Sequence, residues 1–138
     1  MPPANILNAE STCPCGSNKS LGICCLPYVE RKSLAPTAEA LMRSRYTAHV
    51  LLAIDYLWDT WSPEERIRSS KKDIAAWASS CEWLGLQILE TKAGREQDSH
   101  GIVRFVAIFR QDDGTLEQHH ETSVFERIQQ AWLYVGHQ

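Results

Sequence analysis

The spacing of apolar residues changes along the chain, and this change predicts the fold class. Up to about residue 82, apolar residues recur every three or four positions, which is typical of amphipathic helices. From Trp83 onward, apolar and polar residues alternate, as they do in half-buried strands. Helices followed by consecutive strands indicate an α+β fold, in which a curved antiparallel sheet carries helices on one face.

Two helical segments are expected before residue 64. Pro36 and Thr37 mark the start of the first, over residues 38–46. The second spans residues 48–61, where apolar side chains fall on one face, and the stretch 59–63 interrupts the helical pattern.

A third, shorter helix is predicted from a capping pattern. Ser70 stands three residues before Asp73, so the serine hydroxyl can accept the first free backbone N–H groups of a helix. The spacing then directs Ile74 and Trp77 inward.

Four strands are predicted in the second part of the chain, at residues 83–90, 102–110, 116–128 and 132–135. The Asp-Gly pair at 113–114 favours a tight hairpin between the second and third. A two-residue turn there sets Arg104 opposite Ser123, on one face with Glu121 and His119. A three-residue turn shifts the register by one position and separates this group.

Four of the five cysteines lie within 13 residues: Cys13, Cys15, Cys24 and Cys25, in the run CPCGSNKSLGICC. Four thiolates at this spacing predict a closed tetrahedral Zn²⁺ site, although iron fits the same sulfur shell. Two disulfides, or a redox bridge between the adjacent pair, are the weaker alternatives. Cys81 stands apart and is interpreted as a small core residue.

Charge and composition narrow the function further. The net charge is −3, so the chain has no basic field to attract nucleic acid or anionic lipid. The first ten residues do not have the pattern of a secretory signal, and no stretch is apolar for long enough to cross a membrane. We therefore expect the protein in the cytoplasm, where its thiols would be reduced. The chain divides into a flexible tail at 1–12, a metal module at 13–33 and an α+β domain at 34–138.

The cysteine run resembles the SEC-C zinc motif that ends the SecA translocation ATPase. The runs APTAEALMRSRYTAH, DYLWDTW, WLGLQIL, HHETSVFER and WLYV resemble the YchJ-type family of uncharacterised bacterial proteins. This resemblance covers nearly the whole chain. It implies a SEC-C motif joined to a cone-shaped domain similar to nuclear transport factor 2, also described as cystatin-like.

A cone of this type often encloses a cavity, and the sequence offers polar candidates to line it. The candidate pocket residues are Tyr46, His49, Trp58, Arg104, His119, Glu121 and Ser123. Arg43 and Arg45 are two positions apart on the first helix, so at most one of them can face such a pocket.

Two functions follow from these features. The first is a non-enzymatic adaptor whose zinc module docks on a protein partner. The second is a small-molecule-binding protein or enzyme that uses the pocket, with His119 or Glu121 as acid or base. A thiol redox sensor is a third, weaker hypothesis. Self-association of two chains through their sheets is a separate expectation.

Overall fold

The computed structural model describes residues 7–138 and has the predicted α+β architecture: one four-stranded antiparallel sheet with helices packed on one face. Its helices are a 3₁₀ turn at Leu21–Ile23, α1 (Leu26–Val29), α2 (Ala38–Leu51), α3 (Ile54–Asp59), α4 (Pro63–Arg66) and α5 (Lys71–Ser80). Its strands are β1 (Glu82–Ala93), β2 (His100–Arg110), β3 (Leu116–Ile128) and β4 (Ala131–His137).

Helix α2 is the longest helix of the described residues and is longer than predicted. Thr37 caps it by accepting a hydrogen bond from the backbone N–H of Ala40, at 3.0 Å. Two helices divided at residue 47 were predicted here, but no helix breaker lies at that position, and α2 continues to Leu51. Leu52 ends it in the left-handed conformation, with φ of 57°. The rest of the second predicted segment forms α3.

Helix α5 begins where the capping pattern placed it. The Ser70 hydroxyl accepts a hydrogen bond from the backbone N–H of Asp73, at 3.1 Å. Ile74 is buried as expected, but Trp77 is 47% exposed, so its prediction as an inward residue was wrong. The Trp77 ring contacts Trp83 and Phe109 edge-on and leaves its other side open.

The four strands form a meander in the order β1-β2-β3-β4. The turn between β2 and β3 has three residues, because the backbone N–H of Gln111 donates to the carbonyl of Thr115 at 2.9 Å. Ser123 therefore lies opposite Val103 and not opposite Arg104. Of the two registers that the sequence left open, the structure has the one that separates Arg104 from the face of Glu121.

The cysteine module shares its hydrophobic core with the α+β domain. Buried Leu21 and the buried cysteines belong to the same cluster of side chains as Leu41 of α2 and Phe125 of β3. The predicted tail also joins the module. Its residues 1–6 lie outside the described part of the chain, but Ser11 accepts a hydrogen bond from the backbone of Leu21, at 2.7 Å. The described end of that tail is therefore an ordered edge of the module.

Two glycines let the β1–β2 hairpin lie against the start of α2. A Cβ atom added to Gly101 would lie 2.5 Å from the Cα atom of Gly94, and 3.0 Å from the Cβ atom of Ala38. The carbonyl of Gly94 accepts a hydrogen bond from the backbone N–H of Ala38, at 2.9 Å. This contact fixes α2 relative to the sheet.

None of the helices within residues 7–138 has the length and apolar character that crossing a bilayer requires.

We expect Gly101→Ala to lower the free energy of unfolding by about 2 kcal/mol, because the methyl group has no room against the Gly94 backbone. The measurement is urea denaturation followed by circular dichroism. Gly85→Ala is the matched control: it is also a strand glycine, and its added Cβ meets nothing within 4 Å. The control is expected to change stability by less than about 0.5 kcal/mol. Equal losses in both variants would contradict this account.

Candidate functional site

The structure brings the four clustered cysteines together around one point. Their sulfur atoms all lie within 4.8 Å of one another. Two of the separations are 3.6 Å, between Cys15 and Cys24, and 3.9 Å, between Cys24 and Cys25. A tetrahedral ion with metal–sulfur bonds of about 2.3 Å separates its ligand sulfurs by about 3.8 Å. The cluster therefore has the dimensions of a four-thiolate metal site.

A tight turn and a backbone hydrogen bond in the loop bring the four thiols together. Gly16 has φ of 84°, which turns the chain directly after the first pair, and an added Cβ there would lie 2.8 Å from the carbonyl oxygen of Leu86 in β1. The backbone N–H of Cys13 donates to the carbonyl of Lys19, at 2.8 Å, which closes the loop. The adjacent pair follows the 3₁₀ turn, so Cys24 and Cys25 return to the first pair.

Hydrogen bonds and burial within the cluster shift the pKa values of its thiols in opposite directions. Hydrogen bonds from Cys13 and Cys25 lower the pKa of Cys15 far below its usual value. Hydrogen bonds with Cys13 and with Cys15, together with burial, raise the pKa of Cys25. Burial is the largest cause of the raised pKa of Cys24. Cys15 is therefore a more acidic thiol than Cys24 or Cys25. A divalent cation that binds all four sulfurs would displace their protons.

Two side chains of α2 contact the cysteine sulfurs. The Arg43 guanidinium donates to the carbonyl oxygen of Cys15 at 2.7 Å, and its Nη1 lies 3.9 Å from the Cys15 sulfur. One turn later, the Thr47 hydroxyl lies 3.6 Å from the Cys13 sulfur. Arg43 is itself held by the Glu39 carboxylate, at 2.9 Å. The α+β domain thus supplies a positive charge and a hydroxyl next to the cysteine sulfurs. The spacing of the cysteines in the sequence gives no sign of these two contacts.

Three predicted pocket residues do come together on the inner face of the sheet. The Glu121 carboxylate accepts hydrogen bonds from Ser123 at 2.6 Å, from Tyr134 at 3.0 Å and from His119 at 3.1 Å. Burial acts to raise the pKa of Glu121, but these hydrogen bonds hold the pKa below its usual value. Because the ionised carboxylate is so well satisfied, Glu121 is a weak proton acceptor.

The remaining predicted pocket residues are dispersed. Arg104 lies on the outer face of the sheet and pairs with Glu90 at 3.6 Å, as the three-residue turn requires, so it does not join Glu121. Tyr46 is a core residue packed edge-on against Trp83. Trp58 packs against Trp61, with ring centres 6.4 Å apart.

Arg45 and His49 line a separate cavity. The i, i+2 spacing of the two arginines predicted that at most one of them faces a pocket. Arg45 lines the cavity, while Arg43 faces the cysteines. Arg45 is 7% exposed. Its Nη1 donates to the carbonyl of Leu57 at 2.9 Å and to the Thr60 hydroxyl at 2.5 Å. No carboxylate of residues 7–138 forms an ion pair with it.

A buried guanidinium without a carboxylate is energetically costly. Burial lowers the pKa of Arg45 to about 10, which still leaves it charged at neutral pH. Its carbon Cζ lies 5.2 Å from the ring centre of Tyr134 and 5.7 Å from that of Trp61. Such cation–π contacts contribute about 1–2 kcal/mol when desolvated, against a burial cost of several kcal/mol. The charge is therefore only partly compensated by the described residues.

The family model described as "YchJ, middle NTF2-like domain" matches residues 37–137, which is most of the chain. The chain belongs to the YchJ family. A relative from Geobacter sulfurreducens, named as a UPF0225 protein, is 44% identical over 88% of this chain and 75% of its own length. A UPF0225 protein from Chromobacterium violaceum is 43% identical over 93% of both chains.

Solved structures similar to this YchJ family member carry the SEC-C motif in their descriptions. A SEC-C motif containing protein from Rhodopseudomonas palustris has a TM-score of 0.84 at 35% identity, over 93% of this chain and 98% of the other. One from Psychrobacter arcticus has a TM-score of 0.80 at 31% identity, over 92% and 81%. These matches confirm both the family and the fold that the sequence motifs predicted.

We expect Arg43→Met to weaken the affinity for added Zn²⁺ by about tenfold or more, because it removes the hydrogen bond to Cys15 and the charge beside the sulfurs. Competition with a chromogenic chelator measures this affinity. Glu39→Gln is the matched control, since it removes the Arg43–Glu39 ion pair but keeps the guanidinium. An unchanged affinity in Arg43→Met, or an equal loss in Glu39→Gln, would count against a role of Arg43 at the metal.

Proposed function

We propose that the four cysteines bind one Zn²⁺ as a closed structural site, and that the loop ordered by this ion docks on a protein partner. The protein then acts as an adaptor and not as an enzyme. Thiolate ligands need a reducing compartment, so the proposal places the protein in the cytoplasm. Iron in the same sulfur shell is the alternative occupant.

The observation that carries this proposal is the closure of the cluster. Cys13, Cys15 and Cys25 are at most 3% exposed, and Cys24 completes the set of four. An ion held by four protein sulfurs keeps no open coordination position for a substrate or water, unlike a catalytic zinc. Its contribution is therefore to fold the loop around it, which has little apolar core of its own.

The candidate docking surface is the exposed side of this loop, formed by Ser17, Lys19 and Ile23. The Ile23 side chain is 75% exposed although it lies next to a metal ligand. A large apolar side chain held outward on a rigid loop, with a lysine beside it, suits a partner that has an apolar pocket flanked by an acidic group. This loop surface is rigid only while the metal is bound.

We expect purified protein to contain one Zn²⁺ per chain, and Cys25→Ser to lose it and unfold at a temperature lower by roughly 10 °C. Elemental analysis and thermal denaturation measure the two effects. Cys81→Ser removes the cysteine outside the cluster and is expected to keep both the metal and the stability. Iron at the same stoichiometry would replace zinc in the proposal, and a metal-free folded protein would refute it.

We expect Ile23→Asp to lose partners that cross-link to the wild-type protein in cells, while its Zn²⁺ content stays unchanged, because it alters the docking surface and no ligand. Quantitative mass spectrometry of the cross-linked material measures the loss. Leu116→Asp, at a side chain 58% exposed on the far sheet edge, is the matched control and should keep these partners. If Ile23→Asp and Cys24→Ser retain every partner of the wild type, the adaptor proposal fails.

A further inference from the structure

A small cavity lies between α2, α3 and α5, away from the cysteine cluster. Its volume is about 220 Å³, and Arg45 and His49 line it from α2. This is below the roughly 300–1,000 Å³ of sites for drug-sized ligands, so the cavity suits a compact molecule.

The Arg45 guanidinium offers this cavity hydrogen-bond donors that the protein does not use. Both of its hydrogen bonds come from Nη1, which leaves Nε and Nη2 without an acceptor among residues 7–138. Every fully enclosed side-chain nitrogen or oxygen in that part of the chain has a partner. The two nitrogens are therefore not fully enclosed by protein, and Arg45 is one of the residues that line the cavity.

Among the lining residues within 7–138, Arg45 carries the one positive charge. The Nδ1 atom of His49 donates to the backbone carbonyl of Arg45 at 2.9 Å. Burial, and secondarily the guanidinium, lower the pKa of His49 to about 4, so the imidazole is neutral at physiological pH. Asp73, which is exposed, contributes a negative charge to the lining.

The rest of the lining is mainly apolar. Leu57 and Ile74 are buried, and the indole rings of Trp61 and Trp77 add flat aromatic surface. The Trp77 side chain is 47% exposed, which is unusual for a tryptophan that packs against the core. Such walls favour a ligand with an apolar or aromatic body next to its charged group.

We propose that this cavity binds a small monocarboxylate with a compact apolar or aromatic body, whose carboxylate accepts hydrogen bonds from Nε and Nη2 of Arg45. The planar fork of a guanidinium matches a carboxylate in size and geometry. A phosphate ester would bring a second negative charge, against which the cavity lining has one cation and the carboxylate of Asp73. The site is independent of the zinc module and of the adaptor role.

The first test uses the wild-type protein and two probes of nearly equal shape, benzoate and its neutral analogue benzamide. Titration calorimetry is expected to show benzoate binding at least about tenfold more tightly, because only benzoate pairs its charge with Arg45. In nitrogen-15 NMR spectra, benzoate should shift the indole N–H signals of Trp61 and Trp77. The Trp132 indole, which donates to the Pro36 carbonyl, is the internal reference and should not move.

The second test changes the charges of the cavity. Arg45→Met is expected to abolish the preference for benzoate over benzamide, and Arg45→Lys to reduce it. Asp73→Asn should tighten benzoate binding about twofold or more, since a like charge is removed from the lining. The comparison of benzoate with benzamide needs no variant, so it decides the matter even if Arg45→Met does not fold.

Four outcomes would overturn the proposal. One is equal binding of benzoate and benzamide, and another is a benzoate shift confined to residues outside the cavity. The third is absence of binding by benzoate, phenylacetate and short branched aliphatic carboxylates alike, which would leave Arg45 as a structural residue of the core. Preferential binding of inorganic phosphate would also contradict it, because it indicates a general anion site.

Discussion

The packing of α2 between the cysteine loop and the sheet is the contact on which both sites depend. Residues four apart on this helix face the same way, so Arg43 and Thr47 reach the cysteine sulfurs together. Positions two residues away point in a different direction, and Arg45 and His49 line the cavity there. One helix therefore carries the side chains that contact the cysteine sulfurs and the charged group of a cavity. A shift of this helix along its axis would disturb both.

The four-cysteine loop is packed into the α+β domain and is not a separate appended module. Its buried cysteines belong to the same hydrophobic cluster as the α+β domain, and Gly16 lies directly against β1. The loop is thus packed directly against α2 and the sheet. The contact is electrostatic as well, because the Arg43 guanidinium lies 3.9 Å from the Cys15 sulfur.

Glu121 and Arg45 differ in how fully hydrogen bonds satisfy their charged groups. Glu121 accepts three hydrogen bonds, which complete the requirements of a carboxylate inside the fold. Arg45 donates hydrogen bonds from only one of its three nitrogens within residues 7–138 and lines the cavity. A satisfied buried charge is a structural element, whereas a partly satisfied one beside a cavity points to a missing partner. This difference separates the face of Glu121 from the cavity of Arg45, although both lie inside the same domain.

Local patterns in the sequence determined the secondary structure and the ligand set. The alternation of residues 116–128 predicted β3 to its ends, and the Ser70–Asp73 pattern predicted the start of α5. The four cysteines were identifiable because a site of four sulfur ligands needs thiols close together, and these lie within one short segment. Only the tertiary structure decided how distant residues meet. One additional residue in the turn before Thr115 reversed the face of Arg104 relative to Glu121, since strand side chains alternate at every position.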